Sequence, residues 1–168
     1  LPILTIDTEG GQILNDPKIV AKMGVIDNGP GMLNHPDDSL NHYKGNISIE
    51  IRGSSSRMFP KKSYTIETQT DSGTNNNVPL LGMPSENDWV LHAPYSDKSL
   101  IRNVISYSLY ERMGHWAPRT RFVDLYLNED YRGVYVLTEK IKRDKNRVDI
   151  AKITEADVSD LDISGGYI

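Results

Sequence analysis

The chain has 168 residues, enough for one domain with a core of its own. Its 19 Lys and Arg against 23 Asp and Glu give a formal net charge of -4, which argues against a general nucleic-acid coat but leaves room for a local basic groove. Cysteine is absent, which excludes disulfides, thiolate metal sites and cysteine catalysis; with 38% hydrophobic and 25% charged residues, neither pervasive disorder nor a transmembrane segment is expected.

The predicted elements begin with two short, mostly apolar strands, Leu1 to Ile6 and Ala21 to Ile26, the second ending in the turn-rich Asp27-Asn28-Gly29-Pro30-Gly31. Ile47, Ile49 and Ile51 alternate with Ser48, Glu50 and Arg52, which puts the aliphatic set on one face of a strand. Tyr64, Ile66 and Thr68 resume the alternation, and the polar run from Asp71 to Asn77 reads as an exposed loop. Trp89-Val90-Leu91 reads as a short buried strand. Ser96 or Asp97 then caps a helix from Lys98, carried by Leu100, Ile101, Val104, Ile105 and Leu109 and stopped by Gly114. Arg121 to Asn128 and Arg132 to Ile141 form a hairpin whose second strand puts Val134, Val136 and Thr138 on one face and Tyr135, Leu137 and Glu139 on the other. The stretch Val148 to Ile153 and the acidic tract with Asp157, Asp160 and Asp162 give weaker signals. These elements predict an α+β architecture: a twisted, mainly antiparallel sheet with one principal helix packed on it.

Several reaction centres are excluded by position. His35, His42, His92 and His115 lack the helical pairing of a zinc protease; Gly53-Ser54-Ser55-Ser56-Arg57 starts like a nucleophile elbow but places Arg57 where a glycine is needed; and no phosphate loop or ordinary kinase signature occurs. Asp144, Asn146 and Asp149 lack the glycine and the bidentate Glu of a calcium loop. The concentrated segment is Arg52 to Tyr64, with four cations, a glycine and three consecutive hydroxyls between two strands. It is equipped to hold phosphate oxygens, and it equally suits a solvated hairpin loop paired with carboxylates. In the second basic cluster, Glu139 to Arg147, Glu139 either orients a phosphate-binding lysine or forms an ordinary strand-end salt bridge. Arg102 and Asn103 combine with the turn at Pro94 to Ser99 either as an anion-binding helix start or as ties to a neighbouring loop. Trp89 and Trp116 read as core or rim packing rather than a base-stacking platform.

Six pieces occur in an order that resembles the CotH kinase family of spore coat protein H-like proteins. They are Arg52-Gly53-Ser54-Ser55-Ser56, Phe59-Pro60-Lys61-Lys62-Ser63-Tyr64, Leu80 to Pro84, Asn87 to Leu91, Asp97 to Asn103, and Leu127-Asn128 with Tyr131 to Tyr135 and Glu139-Lys140-Ile141. The resemblance implies a fold like the N-terminal lobe of an atypical protein kinase, binding ATP with magnesium and phosphorylating protein side chains outside the cytoplasm, secreted or at the cell surface. It implies Lys62, or failing that Lys61, as the phosphate-contacting lysine, with Glu139 as its partner, and Arg52, Arg57 and the Ser54, Ser55 and Ser56 backbone on the phosphate side. In that family the acidic metal-binding and catalytic residues follow the Gly-Gly-Tyr segment, whereas this chain ends at Ile168. The expectation is therefore an excised single domain, residues 1–168, with little phosphotransfer of its own. The rival expectation is a non-catalytic extracytoplasmic module that binds a protein or glycan.

Overall fold

The structure, a computed structural model, describes residues 1–155 and 157. Among the described residues nine strands form in the order β1 (Ile3–Asp7), β2 (Ile19–Ile26), β3 (Tyr43–Arg52), β4 (Ser63–Gln69), β5 (Val78–Leu80), β6 (Met83–Glu86), β7 (Asp88–His92), β8 (Thr120–Leu127) and β9 (Asp130–Glu139), with a helix α1 (Arg102–Arg112) between β7 and β8. Seven of them close into a barrel in the order β1-β2-β3-β4-β7-β9-β8, while β5 and β6 pair as a separate two-stranded ribbon.

The barrel corrects the expectation of an α+β sheet resembling a kinase-like lobe with a principal helix. Closure is the work of β1, which pairs antiparallel with β2 on one side and parallel with β8 on the other, so the sheet has no free edge between its first and last strands. The parallel contact joins residues more than 100 positions apart, Ile3 against Asp124 through Ile6 against Leu127, and local pattern cannot announce such a pairing. The helix is not a layer of the core: none of its residues is buried, and Ile105 and Leu109 stand in solvent. It also starts later than expected. Residues 97–101 form a turn in which the Asp97 carboxylate accepts hydrogen bonds from the Ser99 and Arg102 amides at 3.0 and 2.9 Å, so Asp97 holds both the turn and the first helical residue, while Ile101 occupies the position before the helix. Gly114 ends the helix in a left-handed conformation, as expected.

Strand alternation sorts the side chains correctly. Ile47, Ile49, Tyr64, Ile66, Trp89, Leu91, Tyr135 and Leu137 join Leu4, Ile6, Met23, Val25, Val123 and Leu125 in one continuous core. The weak signal over Val148 to Ile153 corresponds to no strand, only to a single bridge between Arg143 and Val148. Asp160 and Asp162 lie outside the described residues.

The β8–β9 hairpin turns through Asn128 and Glu129, both at positive φ, the backbone of a tight two-residue connection. Asn128 ties this turn to the end of β1: its carboxamide oxygen accepts from the Thr8 amide at 2.9 Å, and its nitrogen donates to the Thr8 hydroxyl at 3.0 Å. Asn128→Ala removes these bonds and puts a residue less tolerant of positive φ in the turn. A stability loss of about 1–2 kcal/mol is expected, read as a lower urea midpoint at unchanged slope.

Candidate functional site

The outward faces of β4, β7 and β9 meet the first turns of α1 and the loop after β3 around a cavity of about 230 Å³. Strand period decides its lining: Ser63, Val90, His92, Val136 and Thr138 alternate with inward-facing Tyr64, Leu91, Tyr135 and Leu137. The register sets His92 beside Val136 and Val90 beside Thr138, so two valines make an apolar floor. Arg52, Gly53 and Ser56 come from the β3–β4 loop, and Asn103 and Tyr107 come from the helix, one turn apart.

The loop at Arg52-Gly53 depends on glycine. Gly53 has φ of 120°, and a Cβ there would stand 2.1 Å from the Ser56 hydroxyl. Backbone and hydroxyl can thus close together at the cavity's edge. Burial lowers the His92 pKa below the usual histidine range, and the Arg52 guanidinium lowers it further against a weaker opposing pull from Asp97. Arg52 itself has no carboxylate within ion-pair distance among the described residues. Thr138 is buried, and its hydroxyl has no hydrogen-bond partner. A buried hydroxyl left unpaired costs about 1–3 kcal/mol, so a ligand that bonds it recovers that energy.

The residues expected to act together are divided. Arg52 and Ser56 line this cavity, whereas Lys61 and Lys62 line a separate cleft where β4 begins. Ser54, Ser55 and Arg57 line neither; the Arg57 guanidinium bonds Asn15, and its Nε donates to the Ser54 carbonyl at 3.3 Å. Lys62 donates to the Arg57 carbonyl at 2.5 Å, and Lys61 to the Val134 carbonyl at 2.6 Å.

The expected partnership of Lys62 with Glu139 does not form. Tyr135 donates its hydroxyl to the Lys62 carbonyl, which places the lysine near that residue, and Glu139 lies four residues further along β9, about 13 Å at strand rise. The Glu139 carboxylate is instead buried in a cage. The Arg119 amide and guanidinium donate to it at 2.9 and 3.0 Å, and Arg147 Nη1 at 2.8 Å. The Arg147 guanidinium lies 4.9 Å from the Trp89 ring, with its Nε and Nη2 unbonded, so the indole face supplies what those N–H groups lack. Next to this cage, Lys142 bridges Glu86 and Asp88 at 2.9 and 2.6 Å, and Lys140 pairs with Asp88 at 2.9 Å. Burial would raise the Asp88 pKa, but the two ammonium groups outweigh it and hold the carboxyl below its usual range.

His92, Asn103, Tyr107, Ser63 and Thr138 were not singled out together from sequence. The alternation of β4, β7 and β9 contained the signal, since it assigns Ser63, Val90, His92, Val136 and Thr138 to one outer face. What was missing was the order of the strands.

Comparison with known proteins now bears on this geometry. The family model described as CotH kinase protein matches residues 49–164. The chain belongs to the CotH family. It is also 30% identical over 105 residues to the inner spore coat protein H of Bacillus subtilis (strain 168), an overlap covering 61% of this chain and 26% of that protein. The chain thus spans about a quarter of the length of the curated relative it matches. The family match opens within β3, so β1 and β2, which close the barrel, precede it.

Proposed function

We propose that this CotH-family chain is the ATP-binding part of a protein kinase, and that the nucleotide enters the cavity between the β3–β4 loop and α1. The observation that carries this reading is a cavity lined by both Thr138, whose buried hydroxyl has no partner, and Arg52, whose guanidinium has no carboxylate within ion-pair distance among the described residues. A nucleotide has one flat apolar part and one anionic part. Val90 and Val136 suit the first, and Arg52, Ser56, His92 and Asn103 suit the second. In phosphoryl transfer such groups position the phosphates and offset their charge.

Magnesium fits less well. No carboxylate lines the cavity, and among the described residues no group of three His, Asp or Glu side chains converges on one point. The residues lining this cavity do not make a magnesium site. Lys61, Lys62 and Glu139 have no part in the nucleotide site proposed.

A thermal-unfolding titration with ATP, with and without magnesium, tests the reading. A ligand that binds only the folded state stabilises it by about 2.7 kcal/mol at 100 times its dissociation constant. A rising, saturating midpoint is expected, and an unchanged midpoint at millimolar ATP rejects nucleotide binding in favour of the surface-module reading.

His92 adds a pH signature. Its pKa in the free protein is lowered, and an adjacent polyphosphate favours its charged form, so the bound state takes up protons more readily. ATP affinity is expected to rise as pH falls from 8 through the bound-state pKa of His92, and to lose this dependence in His92→Gln. Calorimetry at several pH values reads both.

A further inference from the structure

The cleft left aside by the nucleotide site lies where β4 begins. Lys61, Lys62 and Arg132 line it with Tyr64, Tyr131 and Tyr135, its volume is about 290 Å³, and no carboxylate is among its lining residues. Lys61 is built into it. Its ammonium lies 4.5 Å from the centre of the Tyr135 ring and bonds the Val134 carbonyl, contacts that hold the charge without neutralising it. Burial also lowers its pKa.

The backbone makes room for that ammonium. The β8–β9 register shifts between Leu125 and Tyr126, and opposite the shift Gly133 takes φ of 82°. A Cβ on Gly133 would stand 3.4 Å from Lys61 Nζ. Lys62 is held beside it by the Arg57 carbonyl. Arg132 touches Asp130 at 3.2 Å in an exposed pair, which leaves most of its hydrogen-bonding fork free. Among the lining residues and their ion-pair partners, three cations less that single carboxylate leave two positive charges, and the nearby Asp124 carboxylate is engaged by the Tyr131 hydroxyl at 2.7 Å. A carboxylate ligand would balance one of them; a phosphate monoester at neutral pH balances both.

We propose that this cleft binds a phosphate dianion, free or as a monoester, at a site separate from the nucleotide cavity. Two ammonium groups supply point charges and Arg132 a planar pair of donors, all meeting oxygens arranged around one phosphorus. None of these residues lines the nucleotide cavity, so the proposal stands independently of ATP binding. Free inorganic phosphate and a phosphoserine side chain of a protein segment present the same group.

An amide-resolved NMR titration of the 168-residue chain separates these sources. The probes are inorganic phosphate, a serine peptide and the same peptide phosphorylated. Saturating shifts centred on Lys61, Gly133 and Tyr135 are expected with phosphate and the phosphopeptide, and none with the unmodified peptide. Saturation by phosphate but not by the phosphopeptide supports the site and assigns it to the free ion. Lys62→Ala and Arg132→Ala, changes to side chains outside the core, are each expected to weaken binding about tenfold. Arg52→Ala is expected to leave it unchanged. The proposal is overturned by shifts that never saturate, or by binding that Arg52→Ala abolishes while Lys62→Ala and Arg132→Ala spare it.

Discussion

Glu139→Gln lowers the stability of the folded chain by about 3–5 kcal/mol, the range for removing one partner from a buried ion pair. The substitution keeps the size of the side chain but leaves Arg147, whose side chain has 0% exposure, as an uncompensated charge against Trp89. Burial already lowers the Arg147 pKa against the pull of the Glu139 carboxylate, so losing that carboxylate removes the largest opposing charge and leaves the weaker pulls of Glu86 and Asp144. Urea unfolding followed by Trp fluorescence measures the loss. The pair as a whole is a different matter, since two apolar side chains of similar volume avoid the desolvation that both charges suffer. The double variant Glu139→Leu with Arg147→Met is therefore expected to be more stable than either single change, a coupling that a double-mutant cycle isolates. Equal, additive losses would mean that the carboxylate and guanidinium act as separate polar groups rather than as one unit.

The same residue marks where sequence reasoning stopped. Period 2 places Glu139 on the same face as Tyr135 and Leu137, and the structure shows that this face is the inward one. Its partner was not legible. Arg119 reaches it from the segment entering β8 and Arg147 from the loop after β9, and neither position lies in a periodic pattern. The pairing of Lys62 with Glu139 rests on charge type and family resemblance, and charge composition carries no information about which end of a strand a loop approaches. Strands β3, β4 and β7 and the β8–β9 hairpin are legible because alternation and turn residues are local, whereas the short β5–β6 ribbon carries no such pattern. The barrel was not, since its closing contact between β1 and β8 is parallel and non-local. The helix was half legible: its spacing was right, but helical periodicity was taken to imply a buried face, and this helix buries no residue. The nucleotide cavity followed the same rule. Arg52 and Ser56 were found in a conspicuous segment, while Thr138 and His92 needed the register of β7 against β9.

Arg52→Ala is expected to weaken ATP binding about 10- to 100-fold, the worth of a charged hydrogen bond at 1.4 kcal/mol per factor of ten. Arg52 ends β3 at the cavity's edge and is exposed, so its removal costs little packing, and the urea midpoint without ligand should stay where it is. The pH dependence provides the control that a general surface charge would not give. Arg52 helps hold the His92 pKa down, so in Arg52→Ala the histidine gains its proton at higher pH, and the remaining affinity should begin to rise earlier as pH falls. Lys62→Ala is the matched comparison: it removes a cation from the same loop but from the separate cleft, and ATP affinity should change less than twofold, a difference of about 0.4 kcal/mol on the same scale. If both variants lose affinity equally, and both losses vanish in high salt, the nucleotide is responding to the overall positive field of the loop, and the cavity between β7, β9 and α1 is not its site.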